Sequence, residues 1–187
     1  MSAATVAPGT ELRTVALAME HQKRTEWCWA AVSVSVNKLF RPASTHTQCD
    51  LAGSVLKQDC CDPETGRRCN HPHTLHTVLG SLHLLAGEPV RKPIAFEEIQ
   101  KEIDAGRPIC LLIRWLDDSG QVSSRGHFIA ISGYRITPQR IQFLEIADPF
   151  YGASMIAYQE FCSPHGGYRH GHGVWFASFN VENKADR

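Results

Sequence analysis

The sequence has no excess of charge of either sign: lysine plus arginine number 19, and so do aspartate plus glutamate, among 187 residues. No electrostatic footprint therefore argues for nucleic acid or for an anionic membrane surface, and neither is an expected partner. No apolar run approaches the roughly 20 residues needed to span a bilayer. Met1 to Met19 also lacks the basic start and unbroken apolar stretch of a secretory signal, so the chain reads as soluble. Internal repeats and long low-complexity stretches are missing too. A chain this long can bury one substantial core but hardly two, so residues 1–187 are read as a single domain. Residues 1–18 and 182–187, small and polar or charged, are expected to be flexible ends.

Cysteine, by contrast, is plentiful: there are seven. Cys28 stands alone between two tryptophans, whereas Cys49, Cys60, Cys61 and Cys69 crowd one segment. A bridge between adjacent Cys60 and Cys61 would strain the backbone, so an oxidised cluster pairs each with Cys49 or Cys69, in either of two connectivities. A zinc site drawing on His71, His73 or His76 is the competing reading, but there is no Cys-x-x-Cys pair to give the usual chelating spacing. The spacing favours disulfides. Cys110 lies in an apolar run and is expected to be a buried thiol.

Helical signals fill the first part of the chain. Thr25 is positioned to cap a helix carrying Ala30, Ala31, Val34 and Phe40, with Cys28 in its first turn. Thr47 and Asp50 form a capping-box pattern ahead of Leu51, Val55 and Leu56, and Thr74 to Leu85 reads as a third helix. Asp59 to Pro72 is a loop rich in Cys, Pro and Gly. Phe96, Ile99 and Ile103 predict a last helix that stops at Gly106 and Pro108. The period then becomes that of strands: Ile109–Leu116, His127–Arg135 and Ile141–Ala147, with Ala153–Tyr158 and Val174–Val181 as further candidates. Helices first and strands afterwards is an α+β pattern.

Four residues carry the chemistry. A cysteine in the first turn of a helix feels the positive end of the helix dipole, and an imidazole beside it favours the thiolate, which is a strong nucleophile. His127, in Gly126-His127-Phe128, is the imidazole. Asp148, at the end of the next strand, is placed to accept from the second ring nitrogen and fix the tautomer. Gln22, six positions before Cys28, would donate its amide to an oxyanion together with the Cys28 backbone N–H. Taken singly, each has an ordinary structural explanation: a helix-start thiol, a strand histidine, a turn-opening Asp-Pro. Together, in this order and with residue types suited to acyl transfer, they point to Cys28, His127, Asp148 and Gln22 as a catalytic set. No cofactor and no metal is needed. Trp27 and Trp29 are expected to pack in the core, while Trp115, Phe150, Tyr151 and Trp175 are candidates for a substrate pocket or for core. The His170-Gly171-His172 run reads as an exposed turn.

The chain resembles bacterial papain-fold peptidases, the group that includes staphopains, type III effector proteases and bacteriocin-leader peptidases. The resemblance runs over about residues 19 to 180 and is carried by Gln22, Glu26-Trp27-Cys28-Trp29-Ala30-Ala31, Thr47-Gln48-Cys49, Cys60-Cys61, Cys69-Asn70, Phe96-Glu97-Glu98-Ile99, Gly106-Arg107-Pro108, Gly126-His127-Phe128 and Ala147-Asp148-Pro149. It implies a papain-like fold: an N-terminal helical lobe (about 19–88) packed on a C-terminal antiparallel β-sheet or half-barrel lobe (about 89–181), with the active site in the cleft between them. It implies a cysteine endopeptidase that acts on a peptide or protein substrate through a Cys28, His127, Asp148 triad with Gln22 in the oxyanion hole. A monomer, secreted or exported from a bacterium, is the expected setting. An aspartate in place of papain's asparagine as third member is a departure shared by the bacterial branches. Two alternatives stand beside it: a deamidase, acyltransferase or cell-wall amidase, which would use the same groups and differ only in the acceptor, and a non-catalytic binding module on a papain fold. The retention of all four residue types argues against the last.

Overall fold

In the computed structural model, which describes residues 9–184, the small and β-branched residues after Trp27 form helix α1 (Cys28–Phe40). Every residue from Cys28 to Asn37 is buried, so α1 is an interior helix held by packing on all sides rather than by an amphipathic stripe. It begins two residues later than the sequence suggests. Trp27, not Thr25, occupies the N-cap position and makes no side-chain cap bond. Thr25 is engaged elsewhere, its carbonyl and hydroxyl both accepting from neighbouring amide side chains.

Helix α2 (Gln48–Leu56) opens with the expected capping box: the Thr47 hydroxyl accepts from the Asp50 N–H, and the Asp50 carboxylate accepts from the Thr47 N–H. The cysteine-rich loop contains a single 3₁₀ turn, Thr65–Cys69. Helix α3 (Leu75–Ser81) is capped by Thr74 and ends well before Leu85, which instead bridges to Val181. Helix α4 (Phe96–Asp104) ends ahead of Gly106, as its apolar spacing and stop residues require.

Six strands form one antiparallel sheet: β1 (Glu11–Thr14), β2 (Ile109–Leu116), β3 (Val122–Ile136), β4 (Gln142–Asp148), β5 (Gly152–Ala157) and β6 (Gly173–Asn180). A short helix α5 (Tyr158–Phe161) follows β5. The order is β5-β4-β3-β2-β6, and β1 pairs with the far end of the long β3, where β2 has already ended at the Ile109–Ile131 pair. Residues 1–8 and 185–187 lie outside the described residues. The rest of the expected frayed N-terminus behaves differently: Glu11–Thr14 is a paired edge strand, stabilised by main-chain bonds that need no apolar signal.

The continuous apolar run of β2 is explained by burial on both faces. Cys110 and Leu112 pack in a cluster with Trp27, Trp29, Val32 and Val36 of the helical segment, together with Phe128 and Phe179. Their alternating neighbours Ile109, Leu111 and Ile113 pack in a second cluster with Phe96, Ile99 and Ile103 of α4, together with Ile129, Ile131 and Trp175. Cys110 is fully buried, and burial pushes its thiol up to about 12. It is an inert core residue.

Two disulfides, Cys49–Cys61 and Cys60–Cys69, resolve the cysteine cluster into one of the two expected connectivities. They tie α2 to the loop and the loop to itself. Among the described residues, the one group of three metal-type ligands is Cys49, Asp50 and Cys61, and two of its sulfurs are consumed by the bridge between them. Replacing Cys60 and Cys69 together by serine should lower unfolding stability by about 2–4 kcal/mol in urea titration under non-reducing conditions. A loss below about 1 kcal/mol would show that the loop is held by its packing alone.

Candidate active site

Cys28 is presented by a segment clamped on both sides. The Trp27 indole donates to the Cys69 carbonyl at 2.7 Å, and the Trp29 indole donates to the His71 carbonyl at 3.0 Å. Asn70, between those two carbonyls, accepts from the Glu26 N–H at 3.0 Å and donates to the Thr25 hydroxyl at 2.8 Å. The cysteine-rich loop thus grips residues 25–29, and the Cys60–Cys69 bridge ends one residue from Asn70. Both tryptophans are core anchors with satisfied N–H groups, and the thiol between them is free.

His127 lies on β3 opposite Ile113, with Gly126 before it opposite Arg114. A Cβ at Gly126 would sit 2.6 Å from the Ile113 carbonyl oxygen, so the close strand approach that seats His127 requires glycine there. Asp148 ends β4, and its Oδ1 lies 2.9 Å from Nε2 of His127. The same oxygen accepts from the backbone N–H groups of Phe150 at 2.7 Å and Tyr151 at 2.9 Å, so the turn-opening role of Asp-Pro and the histidine contact coexist. Oδ2 accepts from the Tyr168 hydroxyl at 2.6 Å.

These contacts decide the charge state. Burial opposes ionisation of Asp148, but hydrogen bonds from His127, Tyr168 and Tyr151 and the charge of His127 outweigh it, and its pKa falls below the usual carboxylate value. Burial likewise opposes the imidazolium of His127. The hydrogen bond to Asp148, the Cys28 side chain against the ring and the charges of both prevail, raising it to about 9. The ring is flanked by the Trp115 indole, stacked at 6.1 Å between centroids, and by the edge of Tyr151 at 6.2 Å.

Gln22 is buried beside Cys28, and its backbone N–H donates to the Pro149 carbonyl at 2.9 Å, which ties it to the Asp148 turn. Its amide donates both protons, to the carbonyls of Arg24 at 2.9 Å and Thr25 at 2.8 Å, and leaves Oε1 buried without a partner. A cavity of about 660 Å³ is lined by Gln22, Cys28, Trp115, His127, Phe150 and Tyr151. Three of the four aromatic candidates therefore line it, while Trp175 is buried in the core. A second recess of about 320 Å³ shares Cys28 and has an apolar lining that includes Leu75, Leu112, Phe128 and Phe179. The structure brings Gln22, Cys28, His127 and Asp148 together; the four clustered cysteines stand apart as disulfides.

The family model described as papain-like cysteine protease AvrRpt2 matches residues 10–163. The chain belongs to this family. It is accordingly a cysteine peptidase, a hydrolase, and its family implies a protein substrate. No curated protein matches the chain. Among the described residues, no helix is long and apolar enough to cross a membrane.

Sequence reasoning missed Tyr168 and Asn70. Asn70 entered only as part of the Cys69-Asn70 motif and was given no role of its own. Tyr168 sits in a stretch rich in glycine and histidine, where two successive non-glycine residues, Arg169 and His170, adopt positive φ angles of 53° and 59°. That strain was the structural hint, and it is invisible in one-dimensional spacing.

The His127 shift makes a signed prediction. Its folded pKa lies above its ordinary value of 6.5, so the imidazolium's contribution to stability is fully present below about 6.5 and is lost as pH rises through about 9. Asp148 is shifted down, so its contribution is present above the ordinary carboxylate range and is lost on acidification. The His127 imidazole proton resonance should titrate near 9 in the wild type and well below that in Asp148→Asn. Equal midpoints in the two proteins would dismiss Asp148 as the source.

Proposed function

We propose that the protein cleaves internal peptide bonds through Cys28, His127 and Asp148, with Gln22 and the Cys28 backbone N–H receiving the oxyanion, at the junction of a helical lobe and a β-sheet lobe. The observation that carries this reading is the buried His127–Asp148 hydrogen bond, with a free thiol at the start of α1 against the same ring and both Cys28 and His127 lining an open cavity.

In the proposed reaction the helix dipole and the imidazolium favour a Cys28 thiolate. The thiolate attacks the carbonyl carbon, a C–S bond forms, and the carbonyl electrons move to oxygen. His127 gives its proton to the leaving nitrogen as the C–N bond breaks, leaving a thioacyl enzyme and neutral imidazole. Imidazole then takes a proton from water, the resulting hydroxide equivalent attacks the thioester, and the C–S bond breaks to restore thiolate and imidazolium. Nε2 is occupied by Asp148, which leaves Nδ1 for these transfers. Gln22 serves by giving up one of its two carbonyl bonds, since a charged oxyanion competes for an N–H better than a neutral carbonyl does. The enzyme acts as a monomer on a peptide or protein.

An epoxysuccinyl cysteine-peptidase inhibitor, read by intact mass, should label the native protein once, and labelling should disappear in Cys28→Ala and His127→Ala and after denaturation. Native labelling that survives Cys28→Ala would reject the assignment. On a cleaved peptide, Gln22→Ala should cost about two to three powers of ten in turnover and Asp148→Asn about two to four. Product analysis by mass must show a new amine terminus; a mass gain of a single deamidation, without chain cleavage, would favour the deamidase reaction instead.

A further inference from the structure

The segment between Ser163 and Gly173 has no role in the reaction proposed above, lies beyond the matched residues 10–163, and carries the most unusual backbone in the protein. Gly166 and Gly171 have φ of +88° and +91°, and Arg169 and His170 are left-handed between them. A Cβ at Gly167 would collide with the Glu160 carbonyl. The loop is closed by reciprocal bonds between Tyr168 and Gly173 at 3.0 Å and 2.9 Å, and is pinned to β2 where the Leu116 N–H donates to the His172 carbonyl at 2.8 Å. All of this strained backbone delivers one side chain inward. Tyr168 is buried, packs its ring edge-on to Phe161 and parallel to Trp115, and places its hydroxyl 2.6 Å from Oδ2 of Asp148.

We propose that Tyr168 is a positioning residue for the acyl-transfer site: its hydroxyl donates to Oδ2 of Asp148, keeping that buried carboxylate charged and turned so that Oδ1 meets Nε2 of His127. The inference rests on the assignment of His127 and Asp148 made under Proposed function. Oδ1 already accepts from His127 and two backbone N–H groups, so Tyr168 is the recorded donor to the other oxygen. Without it, a carboxylate oxygen would be left buried with no partner. Burial, the negative charge of Asp148 and the hydrogen bond all push the phenol upward, so Tyr168 can only donate in the working range. The other ionisable groups facing this pair are Cys28 at the start of α1, Tyr151 on the turn after β4, and Arg169, whose guanidinium stacks 3.8 Å over the Tyr151 ring. Glu26 and Arg125 line the same cavity as His127.

The test uses the full chain and two readouts: the pH dependence of Cys28 alkylation by iodoacetate, an anion drawn in by the His127 imidazolium and slowed when that charge is lost, and the titration of the His127 imidazole proton. The wild type should show a window of fast alkylation bounded on the alkaline side near 9. In Tyr168→Phe the carboxylate loses a donor and becomes more basic. The His127 midpoint, and with it the alkaline edge of the alkylation window, should rise because the undiluted carboxylate holds the imidazolium more tightly. A merely structural tyrosine would move neither value. If Tyr168→Phe folds by near-ultraviolet circular dichroism and both values stay at wild type, the proposal is overturned while the triad stands. If Tyr168→Phe does not fold, site-specific 3-fluorotyrosine decides: its stronger donation should lower the His127 midpoint, and an unchanged midpoint overturns the proposal. A wild type with no fast window removes the triad assignment and this inference with it.

Discussion

The carboxylate of Asp148 is the constraint on which the rest of the site depends. A charged group this deeply buried is tolerated only with its lone pairs filled, and here four donors fill them: His127, two backbone N–H groups and Tyr168. The four donors come from three different local devices. The backbone donors come from the Pro149 turn, the imidazole from the close β2–β3 approach that Gly126 permits, and the phenol from a strained loop next to β6. The positive charge on His127 is thus a product of sheet geometry, and it is in place before any substrate arrives.

The thiol side is organised by different means. Cys28 sits on a helix of Ala, Ser and Val that has little amphipathic character, and the indole and amide bonds of residues 26–29 to the 69–71 loop fix its entry. Two disulfides stiffen that loop. Bridged and free sulfurs are separated by position: the two bridges lie together beyond Trp27, while the free Cys28 thiol lies against the His127 ring.

Strands β2 to β6, with β3 read only from His127 onward, and the four principal helices were legible from period and punctuation, and Cys28, His127, Asp148 and Gln22, picked out by residue type and order, lie together in the structure. What escaped had no such signal. Glu11–Thr14 is mostly exposed and is held by main-chain bonds to β3, so neither alternation nor hydrophobicity marks it. Thr25 resembles a helix cap because it precedes an apolar run, but the indole anchors and Asn70 recruit its segment before the helix can use it. Tyr168 is twenty positions from Asp148 and reaches it through a loop with left-handed residues that sequence spacing cannot reveal. The choice between the two disulfide pairings likewise depended on how the loop folds back on α2, a tertiary fact.

Gln22 differs from its neighbours in the state of its hydrogen bonds. Asp148 and His127 are fully organised, whereas Gln22 has both amide protons committed to carbonyls of its own loop and an acceptor oxygen left unpartnered. On the proposed assignment, the site is prepared to form its nucleophile but not yet to receive an oxyanion. Withdrawing one proton from a neutral carbonyl costs about as much as one ordinary hydrogen bond, and a charged acceptor returns more than that. The balance is favourable only when the tetrahedral oxygen is present, so the stabilisation is weighted toward the transition state rather than the bound substrate. A rigid, prepaired histidine and an amide that must exchange partners are then complementary: the first sets how readily the thiolate forms, and the second restricts the gain to acyl groups seated correctly between the two recesses that meet at Cys28.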